Sequence, residues 1–189
     1  MESSGLLKMK GYRIIHIGPS LDAQGGISSV IGICIKNTCS LFHSGFIPSY
    51  SGKGRLKDII LFGYSIIAVL FICFTVSKVV FHIHMASRGS YFRKSMFAGI
   101  CILLRKKIIL HIHGGGFSSF IESSRPGKRR RIVRLLNKAD KIVVLSRGWH
   151  SYFRKYVPDA KIVMIYNPCP CIVDSYKERC GHLSLIHIS

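Results

Sequence analysis

The sequence predicts an α/β domain, a parallel sheet with helices on both faces. Two observations predict it. Short apolar runs rich in Ile and Val alternate along the chain with segments of helical character, as buried parallel strands and their crossovers do. Size and composition agree: 189 residues, 48% hydrophobic and 19% charged, suffice for one domain with a substantial core but not for two full α/β domains.

Taken in order, residues 12–18 (YRIIHIG) form a β-branched run that ends at a glycine and reads as a buried strand. The loop PSLDAQGG follows, then residues 27–37 with helical character. Residues 46–50 (FIPSY) are a weaker strand, placed at an edge by Pro48, which lacks a backbone N–H. Residues 59–76 (IILFGYSIIAVLFICFTV) carry no charge; as a helix they span about 27 Å, just short of a hydrocarbon core. Because the β-rich VVFHIH follows at once, the expectation is a helix buried between the sheet and its neighbours, with a membrane span as the alternative. A strand over 79–84 leads to a helix over 90–104 with Ser90 as its N-cap. A strand over 107–113 (KIILHIH) runs into the glycines at 114–116. A basic helix over 128–138, a strand over 142–146, a short helix over 148–156 and a strand over 161–165 complete the alternation.

Charge and cysteine usage narrow the class. Lys and Arg number 28 against 8 Asp and Glu, a formal net charge of +20, which favours anionic partners and says nothing of fold. The 7 cysteines have no framework spacing, and several lie in apolar runs as small hydrophobes, so a reducing compartment is expected. The first residues, MESSGLLKMKGYR, lack the apolar core of a secretory signal. The few carboxylates form no acid/base pair, which argues against paired-carboxylate hydrolysis. Asp22 alone lies in a strand-end loop expected to face a ligand.

Several positions could carry chemistry. Gly25 and Gly26, between the first strand and first helix, let a phosphate approach the backbone and the helix N–H groups; an ordinary strand-to-helix turn would use them equally well. They are not G-x-G-x-x-G, so the nicotinamide fingerprint is absent. His82/His84 and His111/His113 each put both imidazoles on one face of a strand, where a metal could be chelated. With no acidic ligand or cysteine pair nearby in sequence, no metal is expected. His113, beside Gly114, is the better candidate for hydrogen bonding a sugar hydroxyl, the alternative being a structural histidine. Arg88, Arg93 and Lys94 surround a strand-to-helix loop suited to phosphate, or form a solvated basic turn. RPGKRRRIVRLLNK, residues 125–138, interleaves cations with apolar residues and suits an anionic lipid surface. Nucleic acid would use the same electrostatics, but no recognised nucleic-acid module is present and none is expected as a partner.

In this order, YRIIHIGPSLDAQGGISSVI, HIHMASRGSYFRKS, HIHGGGF, ADKIVVLSRGWHSYF and IYNP resemble the N-terminal domain of family 4 glycosyltransferases, over about residues 12–168. The resemblance implies the N-terminal, Rossmann-like half of a GT-B fold, whose C-terminal half binds most of the nucleotide-diphosphate sugar. It implies no metal or other cofactor, and retention at the anomeric carbon. Gly25 and Gly26 match the glycine loop near the donor phosphates, His113 the histidine facing the transferred sugar with Gly114 beside it, and Asn167-Pro168 the approach to the interdomain linker. Arg88, Arg93 and Lys94 fall nearer the acceptor or its phosphate. The expected partners are a nucleotide sugar, a glycan or lipid-linked acceptor in cell-surface polysaccharide synthesis, and the anionic inner face of the membrane, where a cytoplasmic enzyme would sit peripherally. Residues 169–189 read as a cut-short linker and a non-native tail, since LSLIHIS at 183–189 looks like a translated sequencing adapter. Without its second domain the chain is not expected to turn over alone. The alternative is a non-catalytic basic module that binds anionic membrane or nucleic acid.

Overall fold

The structure, a computed structural model, describes residues 11–23, 25–39 and 42–167. The readings placed on 169–189, and on Pro168, lie outside the described residues.

The strands are β1 (Arg13–Gly18), β2 (His43–Pro48), β3 (Val79–Met85), β4 (Lys107–Ile112), β5 (Lys141–Val144) and β6 (Ile162–Met164). The helices are α1 (Gly26–Cys39), α2 (Arg55–Thr75), α3 (Gly89–Leu103), α4 (Phe117–Glu122), α5 (Pro126–Lys138) and α6 (Arg147–Phe153). All strand pairs are parallel, in one 6-stranded sheet ordered β2-β1-β3-β4-β5-β6. This is a Rossmann-like α/β fold. The chain steps from β1 outward to β2, then returns past β1 to β3 and continues the other way. The topological switch point therefore lies between β1 and β3.

Alternation along the strands sorts the side chains between two cores. Ile15 and Ile17, Phe81 and Ile83, Ile108 and Leu110, and Ile142 and Val144 share one cluster with α2 through α6. On the other face, Ile31 and Ile35 of α1 pack on Phe46 of β2. Pro48 ends the edge strand β2 opposite Gly18, where its missing N–H costs no ladder bond. Asp140 fixes the start of β4, accepting the Ile108 N–H at 2.8 Å.

Two expectations need correction. The uncharged helix is not buried between layers: α2 packs through Ser65, Val69, Ile72 and Cys73, and only 22% of its apolar window is buried. Its other side exposes Leu56, Ile60, Tyr64, Ile67, Phe71 and Phe74, a stripe at three- and four-residue spacing. By length and composition this helix could cross a membrane. Ser90 is not an N-cap; the cap position falls to Arg88, and the Ser90 hydroxyl instead accepts the Ala86 N–H at 3.2 Å. In a stretch given no element from the sequence, α4 buries Phe117, Phe120 and Ile121 at helical spacing in the main core.

Candidate functional site at the carboxyl edge of the sheet

Because every strand runs the same way, the loops after β1, β3 and β4 open from one edge, with the switch point between the first two. That edge is knitted by backbone bonds. Gly18 O accepts both the N–H and the hydroxyl of Ser49, at 2.7 and 2.8 Å, and Tyr50 O accepts Ser20 N–H at 2.7 Å. Met85 O accepts His113 N–H at 2.7 Å, carrying β4's pairing one residue past its end.

Two of the glycine positions hold backbone conformations that suit glycine. Gly25 has φ 144° and Gly114 φ 87°, conformations that favour glycine. Gly25, Gly26, Gly114 and Gly115 are exposed, and a Cβ built on any of them meets nothing within 4 Å. Arg88 is exposed, on a backbone held at φ 55°, a strained state for a non-glycine residue. Arg93 is half-buried with its guanidinium 4.6 Å from the centre of the Tyr50 ring, and its Nε has no hydrogen-bond partner among the described residues. Lys94 does not join the solvent-facing cations: it is 2% exposed, 3.4 Å from the Ser90 hydroxyl. Burial, then the neighbouring Arg93, push its amine down to about 7. Asp22 is exposed and 4.0 Å from Lys53, whereas Asp58 closes the loop after β2 by accepting from Ser51 N–H and hydroxyl and from Gly52 N–H.

Below this edge, the face opposite the main core carries His16, His82, His84, His111 and His113. Register brings them together: His16 pairs with His82 across β1 and β3, and His84 with His111 across β3 and β4. The rings stack or tilt on one another, with centroids 4.0 Å apart for His111 and His113 and 4.5 Å for His82 and His84. They also bond edge to edge. His16 Nδ1 lies 3.2 Å from His84 Nε2, His84 Nδ1 2.9 Å from His113 Nε2, and His82 Nε2 3.2 Å from His111 Nδ1. All but His82 are nearly inaccessible to solvent. Burial holds every ring below its ordinary range, to about 4 for His16 and His113 and about 3 for His111; neighbouring rings add to this at His82, His84 and His111, and the Lys94 amine adds to it at His113. At neutral pH the cluster is a set of uncharged imidazoles, each with one donor and one acceptor.

The sequence-predicted positions thus separate into three environments. Gly25, Gly26, Gly114 and Arg88 lie on the open edge, Arg93 and Lys94 are partly or wholly withdrawn, and His113 is the topmost ring of a buried ladder. His16 was not anticipated as part of any site. A scan against protein-family models finds no match to this chain, and a search of curated proteins finds none either.

Proposed function

We propose that this chain forms the acceptor-side domain of a nucleotide-sugar-dependent glycosyltransferase of the GT-B kind, working at an anionic membrane surface. The observation that carries the reading is the common edge. The double glycine after β1 and the His113-Gly114 corner after β4 open from the same end of a parallel sheet, on either side of the switch point. Had they fallen at opposite ends, they could not have served one ligand. The ordered motifs that resemble family 4 glycosyltransferases add to this.

In this reading Gly25, Gly26 and Gly114 leave room for the donor diphosphate and sugar, while Arg88 meets the acceptor or its phosphate. His113, neutral and braced by His84, offers a hydrogen bond to the transferred sugar. The nucleotide is held largely by a second, C-terminal domain, and catalysis consists mainly of holding donor and acceptor in register. Lys94 and Arg93 act from behind the edge, where they set its potential. Two surface features favour the membrane. The exposed apolar stripe of α2 shares a helical layer with α5, and the α5 cations Lys128, Arg129, Arg130, Arg131 and Arg134 are exposed with no carboxylate partner among the described residues.

The test is reconstitution with a matching donor-binding domain. Sugar transfer that is restored by the added domain, and lost in His113→Ala but not in His43→Ala at the exposed start of β2, supports the reading. A folded pair with no transfer from any nucleotide sugar leaves a non-catalytic basic module. Salt-sensitive vesicle binding does not discriminate, since both readings expect it.

A further inference from the structure

We infer that His84, His111 and His113 form a binding site for one divalent transition-metal ion, with His16 and His82 as the hydrogen-bonding shell that orients the ligands. One nitrogen from each of His84, His111 and His113 lies within 4.8 Å of the others, on residues that are all buried. The inference does not rest on the transferase reading, though both use the His113 ring, and it turns on the way the ring nitrogens are used.

Every imidazole has two nitrogens, and the structure accounts for them unequally. His84 Nε2 faces His16 Nδ1, and His111 Nδ1 faces His82 Nε2. Those contacts need one proton each, which His84 and His111 can supply from the nitrogens named. That choice fixes their tautomers and leaves His84 Nδ1 and His111 Nε2 as bare lone pairs. His111 Nε2 is fully buried with no hydrogen-bond partner among the described residues, an uncommon condition for a polar atom in a folded core. His84 Nδ1 points at His113 Nε2, 2.9 Å away. An ion held at about 2.0–2.1 Å needs its nitrogens a little over 3 Å apart, so the His84–His113 contact widens slightly and the His111 nitrogen, within 4.8 Å of the others, closes on them. When it enters, the proton between His84 and His113 moves to His113 Nδ1. Each ring remains neutral, and none leaves the protein.

The outer nitrogens of two ligands are thus already tethered, as metal-ligating histidines normally are. A second grouping, His16 with His82 and His84, shares His84, so one ion cannot satisfy both. The orphaned His111 nitrogen decides for the first. An all-imidazole donor set without carboxylate or thiolate suits Zn²⁺, Co²⁺, Ni²⁺ or Cu²⁺ and not Mg²⁺ or Ca²⁺. Such an ion would clamp the ends of β3 and β4 beneath the open edge.

The experiment uses the full chain, stripped with chelator and titrated with Zn²⁺ and with Co²⁺. Expected are one ion per chain, a saturable rise in thermal midpoint, and Co²⁺ visible bands of the intensity typical of four-coordinate nitrogen sites. His84→Gln and His111→Gln should weaken binding at least about 100-fold, and His16→Gln or His82→Gln about 10–100-fold. His43→Gln should leave it unchanged. Cys169, Cys171 and Cys180 offer a rival thiolate set, so their combined change to Ser should also leave binding intact. Because a core variant could fail to fold, X-ray absorption on the unaltered Zn²⁺ protein provides a separate reading, with imidazole nitrogen and no sulfur in the inner shell. Binding that follows the cysteines, equal affinity in the His84→Gln and unaltered chains, or no shift with stoichiometric Zn²⁺ overturns the inference.

Discussion

His113 Nε2 lies 2.9 Å from His84 Nδ1, so the residue just past β4 is tied by its ring to the strand beside it, as well as by its backbone N–H to Met85. The ring that the transferase reading sets against a sugar therefore belongs to a buried, uncharged stack running down β3 and β1.

That stack gives the fold a definite pH dependence. In the metal-free protein His16, His111 and His113 hold their folded values near 4, 3 and 4 against an ordinary 6.5, chiefly through burial. Beyond burial, His113 and His16 oppose protonation of His111, and the Lys94 amine of α3 opposes that of His113; His82 and His84 of β3 face the same rings. Between pH 6.5 and about 4 the unfolded chain binds protons that the folded chain refuses, so stability falls as pH falls through that window and is unaffected by these rings above it. At about pH 5.5, each ring costs roughly 1 kcal/mol relative to about pH 7.5. Urea unfolding with chelator present should show a steep loss over this range. A flat profile would mean that the rings are hydrated.

Lys94 gives the same sign of pH dependence in a higher window. Its amine is pushed from 10.5 to about 7 by burial and then by Arg93, so the unfolded chain holds more protons at every pH between those values. Stability from this group is lowest near neutrality and recovers as pH rises towards 10.5. Lys94→Met keeps the stem and removes the charge, and should raise stability on the order of 2 kcal/mol at about pH 7, with the gain shrinking by about pH 9.5. Denaturant titrations at the two pH values measure it. In the same variant the His113 ring, relieved of a neighbouring cation, should titrate higher by NMR. If sugar transfer falls while stability rises, Lys94 is retained for its field at the site.

Much of this arrangement was legible in the sequence, and the parts that were not share a cause. Alternating runs such as YRIIHIG and KIILHIH announce buried parallel strands, and the parity rule places each H-x-H pair on one face. Parity within a strand says nothing about register between strands. Only the pairing of His16 with His82, and of His84 with His111, turns separate pairs into one cluster, which is why His16 went unnoticed. Lys94 shows the same limit: a cation beside Arg93 in a loop-to-helix segment reads as solvent-facing, but one helical step turns it into the core. The outer face of α2 was misjudged because continuous hydrophobicity does not reveal which side a neighbour covers.

Gly18 tests the junction between the two faces. A Cβ placed there would lie 2.2 Å from Ile31 Cδ1 and 3.7 Å from His84 Cβ. Ile31 is wholly buried against Ile35 and Phe46, so its terminal methyl has little room to swing away. Gly18→Ala should therefore cost about 1–3 kcal/mol by overpacking. Ile31→Val alone should cost about 1 kcal/mol, yet added to Gly18→Ala it should restore part of the loss, because it deletes the clashing atom. A double-mutant cycle by chemical unfolding reads the coupling. Additive losses would show that α1 shifts bodily rather than that one methyl is in the way.

The two sides of α2 should respond in opposite ways when their apolar side chains are cut back. Val69 is completely buried against the sheet, and Val69→Ala should cost about 2 kcal/mol through the lost methyls and the cavity left behind. Ile67, Phe71 and Phe74 expose 64%, 66% and 76% of their surface and contribute little to the core. Changing these outer residues together to Ser should leave the unfolding midpoint within about 0.5 kcal/mol of the parent's stability. The same change should weaken binding to vesicles containing anionic lipid by at least about tenfold, since each apolar side chain withdrawn from the interface forfeits its transfer free energy. Neutral vesicles supply the control: the cations of α5 contribute there only weakly, so the apolar stripe alone must account for any binding. If the outer variant unfolds instead, α2 is covered in solution by something other than lipid, and the stripe belongs to a protein interface.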